Sequence, residues 1–470
     1  MTELVDFPPD TYNQNNILVD EEIHNPEIIT HEIVSPQDIN LNDLNLVIKE
    51  TGNDPNNYLW QMLHKNLTVN LIIILSIVVL IILEFIYRRS LFKYSLTYEQ
   101  ELQESLSKDA IELNKFISLL GNGVLIGLGL LYVTCYFPLS KTVVLTICLL
   151  FAVYLYDLLK LAYGDPRPFW INTILFKGNC ETSYGNPSGH CLISFFFLLS
   201  LSYHICMLDK VKNNFTYKFF IYLTAIVLSC LIAFSRLALG VHSIDQVLFG
   251  SALGIWLFAV FAYVFKAYDM PLSYYLRFFK DNKYFYFFLF TLFVLFLAPI
   301  ILYYYINVED DIKNFGLIMK KKCRENDEFQ FYSHNSMAES LVILLILGIF
   351  LGQYLFWYLI YKDTNAHTKD INYVLSLEET INHWNNYYKE IFKSFENIVK
   401  TLGLIILCLL PGIFYYIIPG ENNSLKNVFI FKIGLPLFLI GFLTFGPCLY
   451  GLINILKKKP DSTTTTTVYS

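Results

Sequence analysis

The sequence predicts an all-α membrane protein, a polytopic helix bundle of about ten spans, and three observations carry that prediction. Of 470 residues 55% are hydrophobic and only 16% charged, with a mean hydropathy of +0.45, far from the composition of a water-soluble globular chain. Apolar runs of about 20 residues, the length of helix that crosses a hydrocarbon core, recur along the sequence. The polar residues at membrane depth or at run ends are few, as expected where an unpaired polar group is costly. A soluble enzyme is excluded, the bilayer itself is the first partner, and no nucleic-acid partner is expected.

Taken in order, residues 1–66 form an acidic arm rich in Asp, Glu and Asn, with Lys49 and Lys65 its only basic residues. Such a segment buries too little apolar surface to offset its ordering entropy and is predicted to be disordered. It has no basic start followed by a short apolar core, so no cleavable signal peptide is predicted. Spans are predicted near 67–87, 116–136, 142–162, 190–208, 217–237, 244–266, 284–304, 338–360, 401–418 and 428–455. Domain organisation follows: the arm, 1–66; a first span with a polar loop, 67–114; a core, 115–266; additional C-terminal spans, 267–456; and a polar tail, 457–470. The loop 361–396 reads as an interfacial helix.

Seven of nine cysteines, Cys135, Cys148, Cys191, Cys206, Cys230, Cys408 and Cys448, fall in spans and read as small buried hydrophobes. Span parity puts Cys180 and Cys323 on one side, a topology compatible with a disulfide. The basic cluster Lys457-Lys458-Lys459 favours a cytosolic C-terminus. An even number of spans then puts the arm in the cytosol, while Arg88, Arg89 and Lys93 after the first span pull the other way.

Three clusters interrupt the apolar pattern. In KLAYGDPRPFW, Lys160 ends the third span and Arg167 follows in a turn built from Gly164, Asp165, Pro166 and Pro168. In NPSGH, Pro187 is read as a helix start, so that Ser188 and Gly189 leave backbone N–H groups at the positive end of the fourth span, with His190 one turn inside. In SRLALGVHSIDQ, Ser235 and Arg236 end the fifth span and His242 begins the sixth, followed by Asp245 and Gln246. The end of span three, the start of four, the end of five and the start of six share one membrane face in either orientation. Lys160, Arg167, Ser188, His190, Arg236 and His242 can therefore converge. Two arginines and a lysine at a helix N-terminus suit a dianion, and two histidines beside it supply a nucleophile and a proton donor. Singly, each motif has a bland reading as an interfacial anchor or a turn. A metal site of Cys180, His190, His242 and Asp245 matches no compact zinc spacing, and the arginines would repel a cation.

Lys160, six residues, then Arg167-Pro168; Pro187-Ser188-Gly189-His190; and Ser235-Arg236, five residues, then His242 resemble the tripartite signature of the type 2 phosphatidic acid phosphatase superfamily. That superfamily includes lipid phosphate phosphatases, sphingosine phosphate phosphatases, glucose-6-phosphatases and vanadium haloperoxidases. The resemblance covers about 115 to 266 and implies a six-helix phosphatase core and a phosphatase that needs no metal or other cofactor. Carried over by position, it implies that His242 attacks phosphorus and that His190 protonates the leaving alkoxide and then activates water. Lys160, Arg167, Ser188, the Gly189 N–H and Arg236 would hold the phosphoryl oxygens.

The family usually has Asp four residues after the nucleophilic His, whereas this chain has Gln246 there and Asp245 one place earlier. Both positions face back toward His242 on a helix, and either would serve to orient its ring. Glucose-6-phosphatases resemble this chain at Gln246, at Cys180-Glu181-Thr182 and in an aromatic pair after Arg-Pro, here Phe169-Trp170. The expected substrate is a lipid phosphate such as phosphatidate or a sphingoid phosphate. Alternatives are a sugar phosphate, with Phe169 and Trp170 serving a sugar face or an acyl chain, or a non-catalytic scaffold or transporter. The expected setting is the endoplasmic reticulum, another endomembrane or the plasma membrane, with the site on the lumenal or exterior face, shared with the sequon Asn422-Asn423-Ser424.

Overall fold

In a bilayer the outer face of a helix meets hydrocarbon, so apolar side chains turn outward and polar ones inward. Helix α1 (Leu67–Ser105) is built in that sense. Ile72, Val79, Phe85 and Ile86 are exposed, while Asn70, Glu84, Ser95 and Glu99 are buried. The computed structural model describes residues 67–123, 126, 127, 129, 130, 139–172, 181, 183–208, 211–268, 282–305, 340–364 and 435–441. The acidic arm, the cysteines Cys135, Cys180, Cys323, Cys408 and Cys448, the loop 365–396, the span 401–418, the sequon 422–424 and the basic tail lie outside them.

Among the described residues every regular element is helical, and six stretches are long and apolar enough to cross a membrane. The elements after α1 are α2 (Lys108–Leu120), α3 (Leu139–Tyr163), α4 (Pro168–Ile171), α5 (Gly189–Cys206), α6 (Phe215–Ala238), α7 (Ile244–Ala259, continued by a π turn Val260–Val264), α8 (Asn282–Tyr305), α9 (Val342–Thr364) and α10 (Leu435–Ile440). The polar loop expected after the first span is helical instead. No Gly or Pro interrupts 67–105, so the helix runs on past Arg88, Arg89 and Lys93 to Ser105. The chain then breaks at Ser107, whose side chain accepts from the Ala110 N–H at 3.2 Å and caps α2.

Helix α5 is the hub. It packs against α7, α6 and α3, and 78% of its apolar window is buried against 11% for α1. Leu192 and Phe196 of α5 and Phe249 and Leu253 of α7 are buried in one apolar cluster. That approach is close because of glycine. A Cβ on Gly250 would lie 2.5 Å from the Ser188 carbonyl oxygen, and one on Gly254 2.5 Å from that of Leu192, the small-xxx-small geometry of membrane helix pairs. Helix α6 follows the same logic, burying Ala225, Ser229, Ala233 and Ala238 while Phe219 and Phe220 face outward. Cys230 shares that outer face and is exposed, correcting its expected burial: a thiol is apolar enough to sit against lipid.

Two helix ends deliver the chain to the site. Gly164 and Gly240 take left-handed backbone, with φ of 59° and 65°, where a Cβ would be strained. After α6 the Gly240 N–H reaches Leu237 O at 2.9 Å and the Val241 N–H reaches Arg236 O at 3.2 Å, the paired bonds of a Schellman end. Helix α6 therefore stops one turn past Arg236 and turns the chain back into His242.

The Gly250 contact sets the height of α7 against the α5 N-terminus. Gly250→Ala is expected to cost about 1–3 kcal/mol by overpacking and to lower the thermal midpoint in detergent. Gly123→Ala, where no atom lies within 4 Å of the added carbon, should leave it unchanged. Equal midpoints for the two variants would show that the helices can move apart freely.

Candidate active site

A buried cation needs acceptors, and the backbone around Arg167 is shaped to provide them. Arg167 caps the short helix α4, with Pro168 at its first position. Its Nε donates to Ser183 O at 2.7 Å, Nη1 to Val241 O at 3.1 Å, and Nη2 to Ser183 Oγ at 3.1 Å. Nη1 also lies 3.0 Å from Nε2 of His242. A guanidinium has no acceptor, so Nε2 must accept and the ring proton sits on Nδ1. From there it is donated to Gly185 O at 2.9 Å, with Gln246 Oε1 at 3.3 Å. Burial, and then the charges of Arg167, Arg236, His190 and Lys160, hold the His242 imidazole well below the usual histidine range. The ring is neutral at pH 7, with the lone pair of Nε2 directed into the cationic cluster.

The other cations lie around the same space. Lys160 Nζ donates to Ser183 Oγ at 3.1 Å and Asp157 Oδ1 at 3.3 Å and rests over the Tyr156 ring at 4.6 Å. Arg236 Nη1 donates to Ser118 Oγ at 2.6 Å, and its Nη2 to Glu181 Oε1 at 3.0 Å. The second oxygen of Glu181 is 3.7 Å from Arg167. Burial pushes the Glu181 carboxyl up, but Arg167 and Arg236, with His190 and Lys160 behind them, outweigh it and hold the group below the usual carboxylate range. An ionised carboxylate therefore bridges two arginines.

The N-terminus of α5 closes the cluster. Helix α5 begins at Gly189 with Ser188 as its N-cap, two residues later than the expected start at Pro187. The first N–H groups of α5 are thereby left without intrahelical partners, and Ser188 Oγ is buried without a hydrogen-bond partner among the described residues. Gly189 lies so close to Tyr156 that a Cβ there would be 3.0 Å from the ring. His190 is half-buried, whereas Lys160, Arg167, Ser188, Arg236 and His242 are buried; a Cβ on Gly121 would come 3.3 Å from its ring.

The structure separates the two candidates for orienting His242. Gln246 donates from Nε2 to Pro166 O at 2.9 Å while its Oε1 faces the Ser243 N–H and His242 Nδ1, each at 3.3 Å. Asp245 is buried beside Ser243, and its charged neighbours are Glu99, Glu84 and Asp165. No hydrogen bond joins it to His242. Phe169 and Trp170 are fully buried with Tyr184, Leu239 and Val241. Packed in this way they support the loops of Arg167 and His242 from behind. Among the described residues no group of three or more His, Cys, Asp or Glu is arranged to hold a metal ion. Of the four residues weighed for one, Cys180 lies outside them.

Several site residues escaped the sequence reading. Asp157, three residues before Lys160 on one helix, had a readable spacing. Glu181 was noted only within the Cys180-Glu181-Thr182 resemblance and given no role, and Ser183 stood beside it without a distinguishing pattern. Gly185 acts through its carbonyl, and Ser118 meets Arg236 from another helix, so neither had a local signal.

A PAP2 superfamily model matches residues 141–271. The match includes every motif residue from Lys160 to Gln246 and excludes α1 and α2. It supports a phosphatase acting on phosphate esters from within membrane helices. No curated protein and no solved structure matches the chain.

The carboxylate between the arginines generates a prediction. Glu181→Gln removes one negative charge from a mostly enclosed cluster, and inorganic phosphate should then bind about tenfold more tightly, equivalent to about 1.4 kcal/mol. Phosphate-induced thermal stabilisation of the two proteins measures this. Weaker binding in the variant would mean that Glu181 serves to order the arginines.

Proposed function

We propose that the protein is an integral-membrane phosphatase that hydrolyses phosphate monoesters through a phosphohistidine on His242. The observation that carries this reading is the neutral His242 ring, its Nε2 lone pair turned toward Arg167 at 3.0 Å and its Nδ1 proton held by Gly185. An entering phosphoryl group displaces the Glu181 carboxylate and takes the hydrogen bonds of Arg167 and Arg236. Lys160, the Ser188 hydroxyl and the Gly189 N–H complete its ring of donors.

Nε2 of His242 then attacks phosphorus opposite the ester oxygen. The P–O bond to the leaving group breaks, the alkoxide takes a proton from His190, a proton that the bound phosphate dianion lets this ring carry beside the cations, and an N–P bond remains. The ring now carries a positive charge, which Gly185 O and Gln246 Oε1 meet as dipoles. His190, now neutral, removes a proton from water as that water attacks phosphorus. The N–P bond breaks, inorganic phosphate leaves, and His242 regains its lone pair.

A lipid phosphate is the favoured substrate. His190, which would serve the leaving group, borders Gly121, the residue that follows the exposed Leu119 and Leu120 at the end of α2. Such a rim suits an acyl-bearing alcohol better than a polyol. With the acidic arm cytosolic, the mouth opens to the lumen or exterior of an endomembrane or the plasma membrane. Activity of the purified protein against phosphatidate, sphingosine phosphate and glucose 6-phosphate tests the substrate class, and glucose 6-phosphate as the best substrate would overturn the lipid reading.

His242→Ala is expected to abolish both turnover and acid-labile phosphate on the protein; phosphate trapped on that variant would assign the nucleophile elsewhere. His190→Ala should slow alkyl phosphates by about 10²–10⁴-fold and aryl phosphates much less, because an aryloxide needs little protonation. Equal losses would remove His190 as the acid. At the third motif, Asp245→Asn should phosphorylate within about twofold of wild type, whereas Gln246→Glu should lose about tenfold or more, its new oxygen facing Pro166 O with no proton to donate. Single-turnover phosphorylation rates separate these outcomes, and the reverse order would return the orienting role to Asp245.

A further inference from the structure

The three motif loops come from different helices, and the bonds that tie them together lead to α1, outside the matched segment. Asn186 Nδ2 donates to Glu84 Oε1 at 3.0 Å and to Asp165 Oδ2 at 3.0 Å. Arg88 Nη1 donates to that same Asp165 oxygen at 3.3 Å, and its guanidinium sits 5.1 Å over the Tyr163 ring. The Gly185 N–H donates to Asp165 O at 2.8 Å. One side of α1 thus grips the first and second motif loops together. Two turns further along, Ser95 Oγ accepts from the Ile244 N–H at 2.8 Å, at the start of the helix that follows His242.

These contacts converge on one peptide group. The Gly185 carbonyl that takes the Nδ1 proton of His242 belongs to the peptide joining Gly185 to Asn186. The Asn186 side chain is fully buried and held from two directions, and the Gly185 N–H is held on the other side. The plane of that peptide, and with it the aim of the carbonyl, is therefore set by Glu84 and Asp165. A carboxylate buried in a membrane helix is costly, and an α1 that served only as an anchor would have no use for one there.

We propose that Glu84 and Arg88 are positioning residues. By clamping Asn186 and Asp165 they fix the Gly185 carbonyl, and through it the tautomer and direction of His242. The inference rests on the phosphatase reading where it concerns rate, and on ring geometry alone where it concerns the imidazole.

The test uses the full chain in detergent or nanodiscs, with Glu84→Ala, Glu84→Gln and Asn186→Ser, the last leaving α1 untouched should Glu84→Ala fold poorly. Glu84→Ala and Asn186→Ser are expected to slow phosphoenzyme formation at least tenfold, while affinity for inorganic phosphate stays within about twofold of wild type. Glu84→Gln, whose amide oxygen still accepts from Asn186, should recover most of the rate. Parallel loss of phosphate affinity and rate, or no loss of either, would overturn the proposal. A second readout needs no turnover: acylation of His242 by diethyl pyrocarbonate, followed by mass spectrometry. It should quicken at least threefold relative to His190 in Glu84→Ala and Asn186→Ser as the ring leaves Arg167, and stay at the wild-type rate in Glu84→Gln. Wild-type protein that forms no phosphoenzyme but shows this acylation pattern would reject the phosphatase reading and keep the positioning role. Unchanged acylation in both variants would reject the positioning role.

Discussion

Three cations buried within reach of one another are the constraint on which the site depends. Lys160, Arg167 and Arg236 are each at most 4% exposed, and like charges at such range repel strongly wherever water is scarce. The chain meets this with acceptors of two kinds. Fixed ones, the carbonyls of Ser183 and Val241 at Arg167, the carboxylate of Asp157 at Lys160 and the Ser118 hydroxyl at Arg236, hold each cation in place. Glu181, partly exposed and bridging the arginines, is the displaceable one. A dianion can replace it without the fixed acceptors moving, which keeps the donors preorganised.

The same constraint decides the protonation of His242. A cation beside Nε2 forbids a proton there and forces it to Nδ1, where a carbonyl receives it. A lone pair kept free in this way is the form an attacking nitrogen requires. The helix ends follow in turn. Arg167 can reach Val241 O and His242 together only because α6 stops sharply at Gly240, and α5 can bring its N-terminus to the cluster only because Gly250 lets α7 approach Ser188. Backbone geometry at these glycines and charge at the site are one problem solved once.

Much of this could be read from the sequence, for physical reasons. Hydrocarbon demands long apolar helices, so their existence was plain. The order of spans put the ends of α3 and α6 and the starts of α5 and α7 on one face, so the meeting of Lys160, Arg167, Ser188, Arg236 and His242 followed from parity. What could not be read depended on direction. Phe169 and Trp170 are apolar whether they line a pocket or back a loop, and only the fold turned them inward. The charges after the first span suggested a loop, but they lie on a continuous helix, with Arg88 partly buried and Arg89 and Lys93 exposed. Ser118 and Glu84 meet partners more than a hundred residues away, and a carbonyl such as that of Gly185 has no sequence signature at all.

The amide at position 246 fits this arrangement better than a carboxylate would. A carboxylate beside His242 would favour the charged ring more strongly, but it can only accept. Gln246 accepts on one side and donates to Pro166 O on the other, so it ties the loop of Arg167 to the loop of His242. The donor that Pro166 receives is the one a carboxylate lacks. The negative charge such a group would have contributed is present elsewhere, on Glu181 above the arginines and on Asp157 beside Lys160. Charge balance is thus carried by residues at the cations, and ring orientation by neutral dipoles. His242 therefore rests neutral, and in the proposed mechanism its charged form would be stabilised by dipoles that need not reorganise as an N–P bond forms.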